Sequence, residues 1–155
     1  MKTKMKTSIN GINLIKSQEG FRAKPYLDVV GVPTIGYGTT IYPNGKVVTL
    51  KDKLVTPSEA VELIKDDLID RENKVCAYVQ PQLNQNQFDA IVDFCYNEGT
   101  GGFKQSHLLL KINANPNDPS IKDEFMKWDY AGHKVVEDLK KRRELEVELY
   151  FSHIK

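Results

Sequence analysis

The pattern of apolar and polar residues predicts a helix near the start of the chain, followed by a short extended region. Ser8 is a suitable helix N-cap, the next apolar residues fall near helical spacing, and Gly20 is typical of a helix end. Glu19 would then lie in the last helical turn. Across residues 25–38, prolines and glycines interrupt any helix, and β-branched and aromatic residues fill the positions between them. This region therefore favours a small sheet.

Residues 42–48 predict a further hairpin. Asn44 and Gly45 lie at its centre, and this pair tolerates the positive backbone angles that a tight primed turn requires. We therefore expect a β-hairpin or a three-stranded sheet over about residues 26–48.

A long helix is predicted after this sheet. Thr56, Pro57 and Glu59 supply a cap, a first-turn proline and a capping-box acid in the expected order. No helix breaker follows until about Val79, and a broken apolar stripe runs along the segment. Such a helix is long enough to link two lobes.

The rest of the chain is predicted to be helical with intervening turns. Asn84 and Gln87 form a second capping box, and Gly99 would end the helix that they begin. Ser106 and Ser120 are suitable caps for two shorter helices, and a last helix is predicted over about residues 135–151.

These elements indicate the α+β class. The predicted organisation is a small β-containing N-terminal lobe over about residues 8–56, a linking helix over about 57–79, and a larger helical lobe over about 80–155.

Composition and charge narrow the range of functions. The 22 basic and 21 acidic residues nearly cancel, so the net charge of +1 gives no reason to expect a nucleic-acid partner. The basic opening segment is not followed by a continuous apolar stretch, so neither a signal peptide nor a spanning segment is predicted. Cys76 and Cys95 lie in helical patterns beside apolar residues, which favours core thiols over a metal or redox pair.

Two carboxylates and a hydroxyl suggest chemistry near the predicted sheet. Glycosidic bond cleavage commonly uses a carboxylic acid that protonates the leaving oxygen and a second group that directs water or stabilises positive charge. Glu19, at a helix C-terminus, is placed to stay protonated, whereas Asp28 in a polar turn is expected to carry its charge. Thr34 on the next strand can hold a water beside Asp28. By residue type alone, the simpler interpretation is favoured, namely a solvated helix end, a turn residue and an ordinary strand threonine.

The order and spacing of this segment resemble the phage-type lysozymes, the endolysin and muramidase family. Nine positions match its pattern, with nine residues from Glu19 to Asp28 and six from Asp28 to Thr34; they are Glu19, Gly20, Arg22, Tyr26, Asp28, Gly31, Thr34, Gly36 and Gly38. The resemblance continues through QLNQNQFDAIVDFCYNEGTGGFKQSHLL, KWDYAG and LKKRRELE, and covers nearly the whole chain from Ser8. His133 stands where many relatives have glycine or lysine.

The resemblance implies a single lysozyme-like domain over residues 1–155, with two lobes, a linking helix and a substrate cleft between the lobes. It implies that Glu19 is the general acid, Asp28 the second catalytic carboxylate and Thr34 a water-positioning group. It also implies that one cation among residues 140–143 approaches Glu19, although pairing of these cations with nearby glutamates on the helix surface is the simpler interpretation. The positions that match substrate-binding residues are Thr40, Tyr96, Asn97 and Ser106.

The function implied is that of a muramidase of glycoside hydrolase family 24, which hydrolyses the β-1,4 bond between N-acetylmuramic acid and N-acetylglucosamine of peptidoglycan and lyses the host. A lytic transglycosylase and an inactive wall-binding module are the alternatives. We expect no metal or organic cofactor, because no cluster has ligand spacing and no glycine loop is built to hold phosphate. A monomer is expected that accumulates in the host cytoplasm and depends on a holin-type membrane permeabiliser to reach the wall.

Overall fold

The computed structural model describes residues 2–152 and shows an α+β chain, as predicted. Its helices are α1 Ile9–Glu19, α2 Pro57–Tyr78, α3 Gln85–Glu98, α4 Thr100–Lys104, α5 His107–Ala114, α6 Ile121–Met126 and α7 Glu137–Tyr150. Its strands are β1 Arg22–Leu27, β2 Pro33–Gly36, β3 Tyr130–Ala131 and β4 Lys134–Val135.

The chain divides into two compact units. The β unit is Ile12–Asp70, and the helical unit joins the chain up to Gly11 with the chain from Arg71 onward. The boundary at Asp70 lies inside α2.

The β unit contains a two-stranded antiparallel sheet with an apolar core beneath it. β1 pairs with β2, Tyr26 lies opposite Thr34, and the register shifts between Arg22 and Tyr26. Pro25 lies within this shift and has no amide hydrogen for the ladder. The buried apolar residues of the unit are Ile15, Ile35, Tyr37, Val48, Ala60, Ile64 and Leu68.

Of the two alternatives predicted over residues 26–48, the structure has the two-stranded hairpin of β1 and β2, and the primed turn predicted at Asn44 and Gly45 is wrong. Outside β1 and β2, pairing here consists of two isolated bridges, one of which joins Ile41 to Val47. The turn begins at Tyr42, whose carbonyl accepts from the Gly45 amide and whose amide donates to Lys46. Gly45 has φ of +86° whereas Asn44 does not have positive φ, so the pattern is a type I turn followed by a glycine bulge. Pro43 explains the difference, because its ring fixes a negative φ at the first central position.

Most of the predicted helix starts are confirmed. Reciprocal hydrogen bonds form capping boxes between Thr56 and Glu59 before α2 and between Asn84 and Gln87 before α3. The Ser106 hydroxyl accepts from the Leu109 amide and so caps α5.

The predicted cap at Ser120 is wrong, although α6 does begin at the next residue. Ser120 has helical backbone angles and makes no side-chain cap. Its hydroxyl instead donates to Asp118 and accepts from Lys111.

The last helix is shorter than predicted because a hairpin occupies its expected first turn. Tyr130 pairs with Val135 and Ala131 pairs with Lys134, so Gly132 and His133 form the turn between β3 and β4. The valines at 135 and 136 suit either a strand or a helix, and local pairing decides the outcome.

The helical unit is built around an aromatic cluster. Phe94 of α3 lies at its centre and makes edge contacts with Phe103, Phe125 and Trp128, at centroid distances of 6.1, 5.9 and 5.2 Å. Tyr150 of α7 joins the cluster through Phe125. Phe125 is fully buried, and Trp128 is half-buried beside it.

The first residues of the chain are fixed to this unit. The Thr7 amide and hydroxyl both donate to Glu72 at 2.7 Å, and the Ser8 amide and hydroxyl donate to the buried Asp89. Ser8 thus immediately precedes α1, as predicted, but directs its hydroxyl proton to α3.

The two cysteines are unbonded thiols. Cys95 is fully buried, and burial, assisted by the negative charges of Glu146 and Asp93, raises the pKa of its thiol. Cys76 is half-buried. Within residues 2–152, no helix combines the length and hydropathy needed to cross a membrane.

Candidate functional site

Glu19 is the last residue of α1, and its carboxyl group lies against the backbone of Gly38. Gly20 follows with φ of +70° and donates its amide to Lys16, which ends the helix as predicted. A Cβ atom at Gly38 would lie 3.0 Å from Glu19 Oε2 and 3.4 Å from Cδ, closer than such atoms normally approach. The absence of a side chain at Gly38 therefore provides the space for the Glu19 carboxyl group.

Asp28 is held by the turn that joins β1 to β2. The Gly31 amide donates to the Asp28 carbonyl, and the Asp28 amide donates to the Val32 carbonyl. The side chain closes the same turn, because Oδ1 accepts from the amides of Val30 and Val32, each at 2.9 Å. Among the hydrogen bonds described within residues 2–152, those to the Asp28 carboxylate all end on Oδ1, so the turn fixes the carboxylate through one oxygen.

Thr34 is connected to Asp28 through Val32. The buried Thr34 hydroxyl donates to the Val32 carbonyl at 2.8 Å, and the Val32 amide donates to Asp28 Oδ1. A single peptide segment thus orients both side chains. With its proton used in this bond, the Thr34 oxygen can act toward a ligand or water as an acceptor.

Tyr26 lies within electrostatic range of both carboxylates. Burial raises the pKa of its phenol, the Arg22 guanidinium lowers it, and the negative charges of Glu19 and Asp28 raise it further. The guanidinium carbon of Arg22 lies 4.3 Å from the ring centroid. The phenol therefore keeps its proton and is a stable donor near the two carboxylates.

The proposed substrate-binding residues fall in both units. Thr40 is a half-buried residue of the β unit whose carbonyl accepts from Val48. Tyr96, Asn97 and Ser106 belong to the helical unit. Their roles toward substrate remain predictions.

Tyr96 and Ser106 each have a structural partner. The Arg71 guanidinium carbon lies 5.1 Å from the Tyr96 ring centroid. Ser106 is buried, and besides accepting from Leu109 its hydroxyl donates to the Phe103 carbonyl at 2.7 Å. Ser106 also lines an open surface groove together with His107 and Trp128.

Asn97 contacts a buried cation on α7. Arg143 Nη2 donates to Asn97 Oδ1 at 2.8 Å, and Nη1 donates to Glu98 Oε1 at 2.7 Å. Arg143 is completely buried, and Asn97, in the last turn of α3, is half-buried.

Two further ion pairs, both buried, involve the arginines of α7. Arg142 makes two hydrogen bonds to Asp93, at 3.0 and 2.9 Å, and Arg143 Nη2 donates to Glu146 Oε2 at 2.8 Å. Arg143 Nε also lies 2.6 Å from Glu146 Oε1, an ion-pair contact without hydrogen-bond alignment. Burial and the neighbouring Asp93 carboxyl raise the pKa of Glu146, and Arg143 opposes this only partly.

Sequence reasoning missed these buried pairs. The basic run at residues 140–143 is most simply interpreted as solvated helix surface paired with nearby glutamates. Arg142 and Arg143 are instead buried and contact residues 45 to 49 positions away in the chain, although the expected pairing with a nearby glutamate is present between Arg143 and Glu146. The spacing of Asp93, Asn97 and Glu98 at four or five residues marks one face of α3, which was the available signal.

The β unit therefore provides a carboxyl group in a backbone recess, a carboxylate fixed through one oxygen and an adjacent acceptor hydroxyl. This set is suited to proton donation and water activation. Within residues 2–152, no group of three or more His, Cys, Asp or Glu side chains is arranged to hold a metal ion.

The chain is similar to known phage lysozymes and endolysins. The family model for phage lysozymes matches residues 16–146. The endolysin of Bacillus phage B103 is 38% identical over 148 residues, which are 96% of this chain and 55% of that protein. This chain therefore spans about half the length of that relative.

Two solved structures have similar folds over nearly their entire length. A point mutant of P22 lysozyme has a TM-score of 0.85 and 36% identity, covering 96% of this chain and 99% of the other. The muramidase domain of SpmX from Asticaccaulis excentricus has a TM-score of 0.83 and 32% identity, with the same coverage of both chains.

Proposed function

The chain belongs to the phage lysozyme family, and from this premise we propose that it is an endolysin with muramidase activity. It hydrolyses the β-1,4 bond between N-acetylmuramic acid and N-acetylglucosamine in peptidoglycan and so lyses the host cell. The names of similar proteins, which include an endolysin, a lysozyme and a muramidase domain, support this reaction. As part of this proposal, we assign the enzyme to the lysozymes of glycoside hydrolase family 24.

The observation that carries the proposal is the Val32 link between Asp28 and Thr34. A water that donates one hydrogen to Thr34 and the other to the Asp28 carboxylate has its lone pair directed away from both groups. That lone pair is then available to attack the anomeric carbon while Asp28 accepts a proton. Both side chains are hydrogen-bonded to the same residue, which supports a water site that is formed before substrate binds.

Glu19 acts in this proposal as the general acid. It donates its proton to the glycosidic oxygen, and that oxygen leaves with the departing sugar. The recess at Gly38 holds the Glu19 carboxyl group close to the backbone. A carboxyl group in a fixed position transfers its proton more efficiently than one on a mobile side chain.

We assign glycan binding to Thr40, Tyr96, Asn97 and Ser106, and we propose one lysozyme-like domain over residues 1–155 with the lobes and linking helix predicted from the sequence. The proposed biological setting is a monomer that accumulates in the host cytoplasm. A holin-type membrane permeabiliser would then give it access to the periplasm and the wall.

The substitution Glu19→Gln tests the function, because glutamine keeps the shape of the side chain but cannot donate the proton. We expect clearing of a cell-wall suspension to slow by about 10²- to 10⁴-fold, the range typical of a lost general acid. Circular dichroism and the thermal midpoint serve as folding controls. Clearing at the wild-type rate by the folded variant contradicts the assignment.

The mass of the products tests the reaction type separately. Hydrolysis adds one water per bond cut, whereas a transglycosylase leaves an anhydro sugar of lower mass. We expect hydrolysed products alone.

A further inference from the structure

The Arg143 guanidinium is held rigidly by contacts on several sides. It is fully buried, its Nη2 atom donates to Glu146 and Asn97, and its Nη1 atom donates to Glu98 and, at 3.4 Å, to the Trp128 carbonyl. Its central carbon also lies 5.0 Å from the Phe94 ring centroid. A planar cation with partners on both terminal nitrogens has little freedom to rotate.

This cation fixes the orientation of the Asn97 amide. Arginine carries donors and no acceptor, so only the oxygen of the amide can face it. The 2.8 Å bond from Nη2 ends on Oδ1 accordingly. The Asn97 amide nitrogen must therefore point away from Arg143.

The Asn97 amide nitrogen is in contact with solvent. Within residues 2–152 the hydrogen bond described for this side chain ends on its oxygen, and Nδ2 is not among the buried side-chain atoms that lack a partner. Asn97 is half-buried, so one end of its amide faces the interior and the other faces outward. Toward a ligand, it presents two N–H donors and no acceptor.

We propose that Arg143 is a positioning residue that makes Asn97 an obligate hydrogen-bond donor to an acceptor oxygen of the glycan. The proposal rests on the muramidase function and on the assignment of Asn97 to glycan binding. It adds the direction of the hydrogen bond, which selects sugar acceptors such as carbonyl, hydroxyl or ring oxygens, and it gives the buried Arg143 a role in substrate recognition.

Two substitutions at Asn97 separate this role from simple packing. Asn97→Asp keeps the size of the side chain and strengthens its bond to Arg143, but it presents an acceptor where the ligand needs a donor. Asn97→Ala removes both bonds. If the Asn97 amide donates to the glycan, Asn97→Asp should raise KM for soluble peptidoglycan fragments by about tenfold or more, with little change in kcat. The increase in KM should be at least as large as that caused by Asn97→Ala.

A purely structural Asn97 predicts the opposite order. Asn97→Asp would then keep wild-type KM, because its contact with Arg143 is retained, and Asn97→Ala alone would be impaired. That result overturns the proposal. Thermal midpoints of both variants show whether each is folded under the assay conditions.

A double-mutant cycle tests whether Arg143 acts through Asn97. Arg143→Lys keeps the charge near Glu98 and Glu146 but loses the planar fork that fixes the amide. We expect it to raise KM in the wild-type background and to have no further effect in the Asn97→Ala background. Equal effects of Arg143→Lys in the two backgrounds contradict the positioning role. If Arg143→Lys fails to fold, the comparison of Asn97→Asp with Asn97→Ala still decides whether Asn97 acts as a donor.

Failure of this inference is distinguishable from failure of the muramidase function. If the wild-type protein does not cut peptidoglycan, the function is wrong, and affinity for insoluble cell walls replaces KM in the Asn97 comparison. If the wild type cuts and the order of the two Asn97 variants is reversed, only the inference is wrong.

Discussion

The bare backbone of Gly38 leaves the space that the Glu19 carboxyl group occupies. A Cβ atom at Gly38 would lie 3.0 Å from the Glu19 carboxyl oxygen, and Gly38 has φ of +91°. The position of the proposed proton donor therefore depends on a residue with no side chain, 19 positions further along the chain.

Gly38→Ala is expected to slow wall clearing by about 10- to 100-fold, because the added methyl group displaces the Glu19 carboxyl from its recess. Gly45→Ala is the matched control. Gly45 has a similar φ of +86°, but nothing lies within 4 Å of an added Cβ atom. Each variant should lose about 1 kcal/mol of unfolding free energy through backbone strain, so equal activity of the two would refute the steric explanation.

Asp28→Asn is expected to abolish most of the activity while leaving the turn intact. The amide oxygen of asparagine can accept from Val30 and Val32 as Asp28 Oδ1 does, but the side chain cannot take a proton from water. Asp28→Ala loses activity as well and should also lose about 1–2 kcal/mol of unfolding free energy, since two hydrogen bonds disappear. Denaturant unfolding and turbidity assays on both variants measure the two effects, and a fully active Asp28→Asn protein would exclude Asp28 as the base.

Glu146 should make stability depend on pH in the direction opposite to that of an ordinary paired carboxylate. Burial and Asp93 raise its pKa in the folded protein despite Arg143. A raised folded pKa favours the protonated form, so this stabilisation is present below the unfolded pKa and is lost as pH rises through the folded pKa.

Urea unfolding at pH values from about 5 to about 8 would measure this loss for the wild type. Glu146→Gln, which resembles the protonated acid, should show a flatter dependence. An unchanged slope in the variant would show that another group is responsible.

The two thiols should differ in reactivity. Cys95 is fully buried with a raised pKa, whereas Cys76 is half-buried. A chromogenic thiol reagent should therefore titrate Cys76 in the native protein and both cysteines after unfolding. Rapid labelling of Cys95 in the native state would show that the core of the helical unit opens readily. A Cys76→Ser variant, in which Cys95 is the remaining cysteine, allows its labelling to be measured separately.

Local signals in the sequence were sufficient to predict much of the fold. The capping boxes at Thr56 and Asn84 were predicted correctly because the cap, the box residue and the apolar stripe lie within a few residues of one another. The primed turn at Asn44 failed because Pro43 fixes a competing backbone angle, and β3 and β4 were missed because two-residue strands carry too little pattern.

For the candidate site too, the sequence predicted which residues belong together but not the contacts that hold them. The sequence spacing grouped Glu19, Asp28 and Thr34, but it did not indicate that Val32 connects the last two, or that Arg143 reaches Asn97. Partners 46 residues apart are chosen by helix packing, which no local spacing specifies.

The attachment of the first residues to α2 and α3 has a consequence for the order of synthesis. Thr7 and Ser8 bond to Glu72 and Asp89, which lie 65 and 81 residues later, so a segment made before the β unit completes a unit that is mostly made after it. During translation, Thr7 and Ser8 cannot make these bonds until Glu72 and Asp89 have been synthesised, and the whole β unit is synthesised in the interval. Completion of the helical unit thus requires segments from both sides of the β unit.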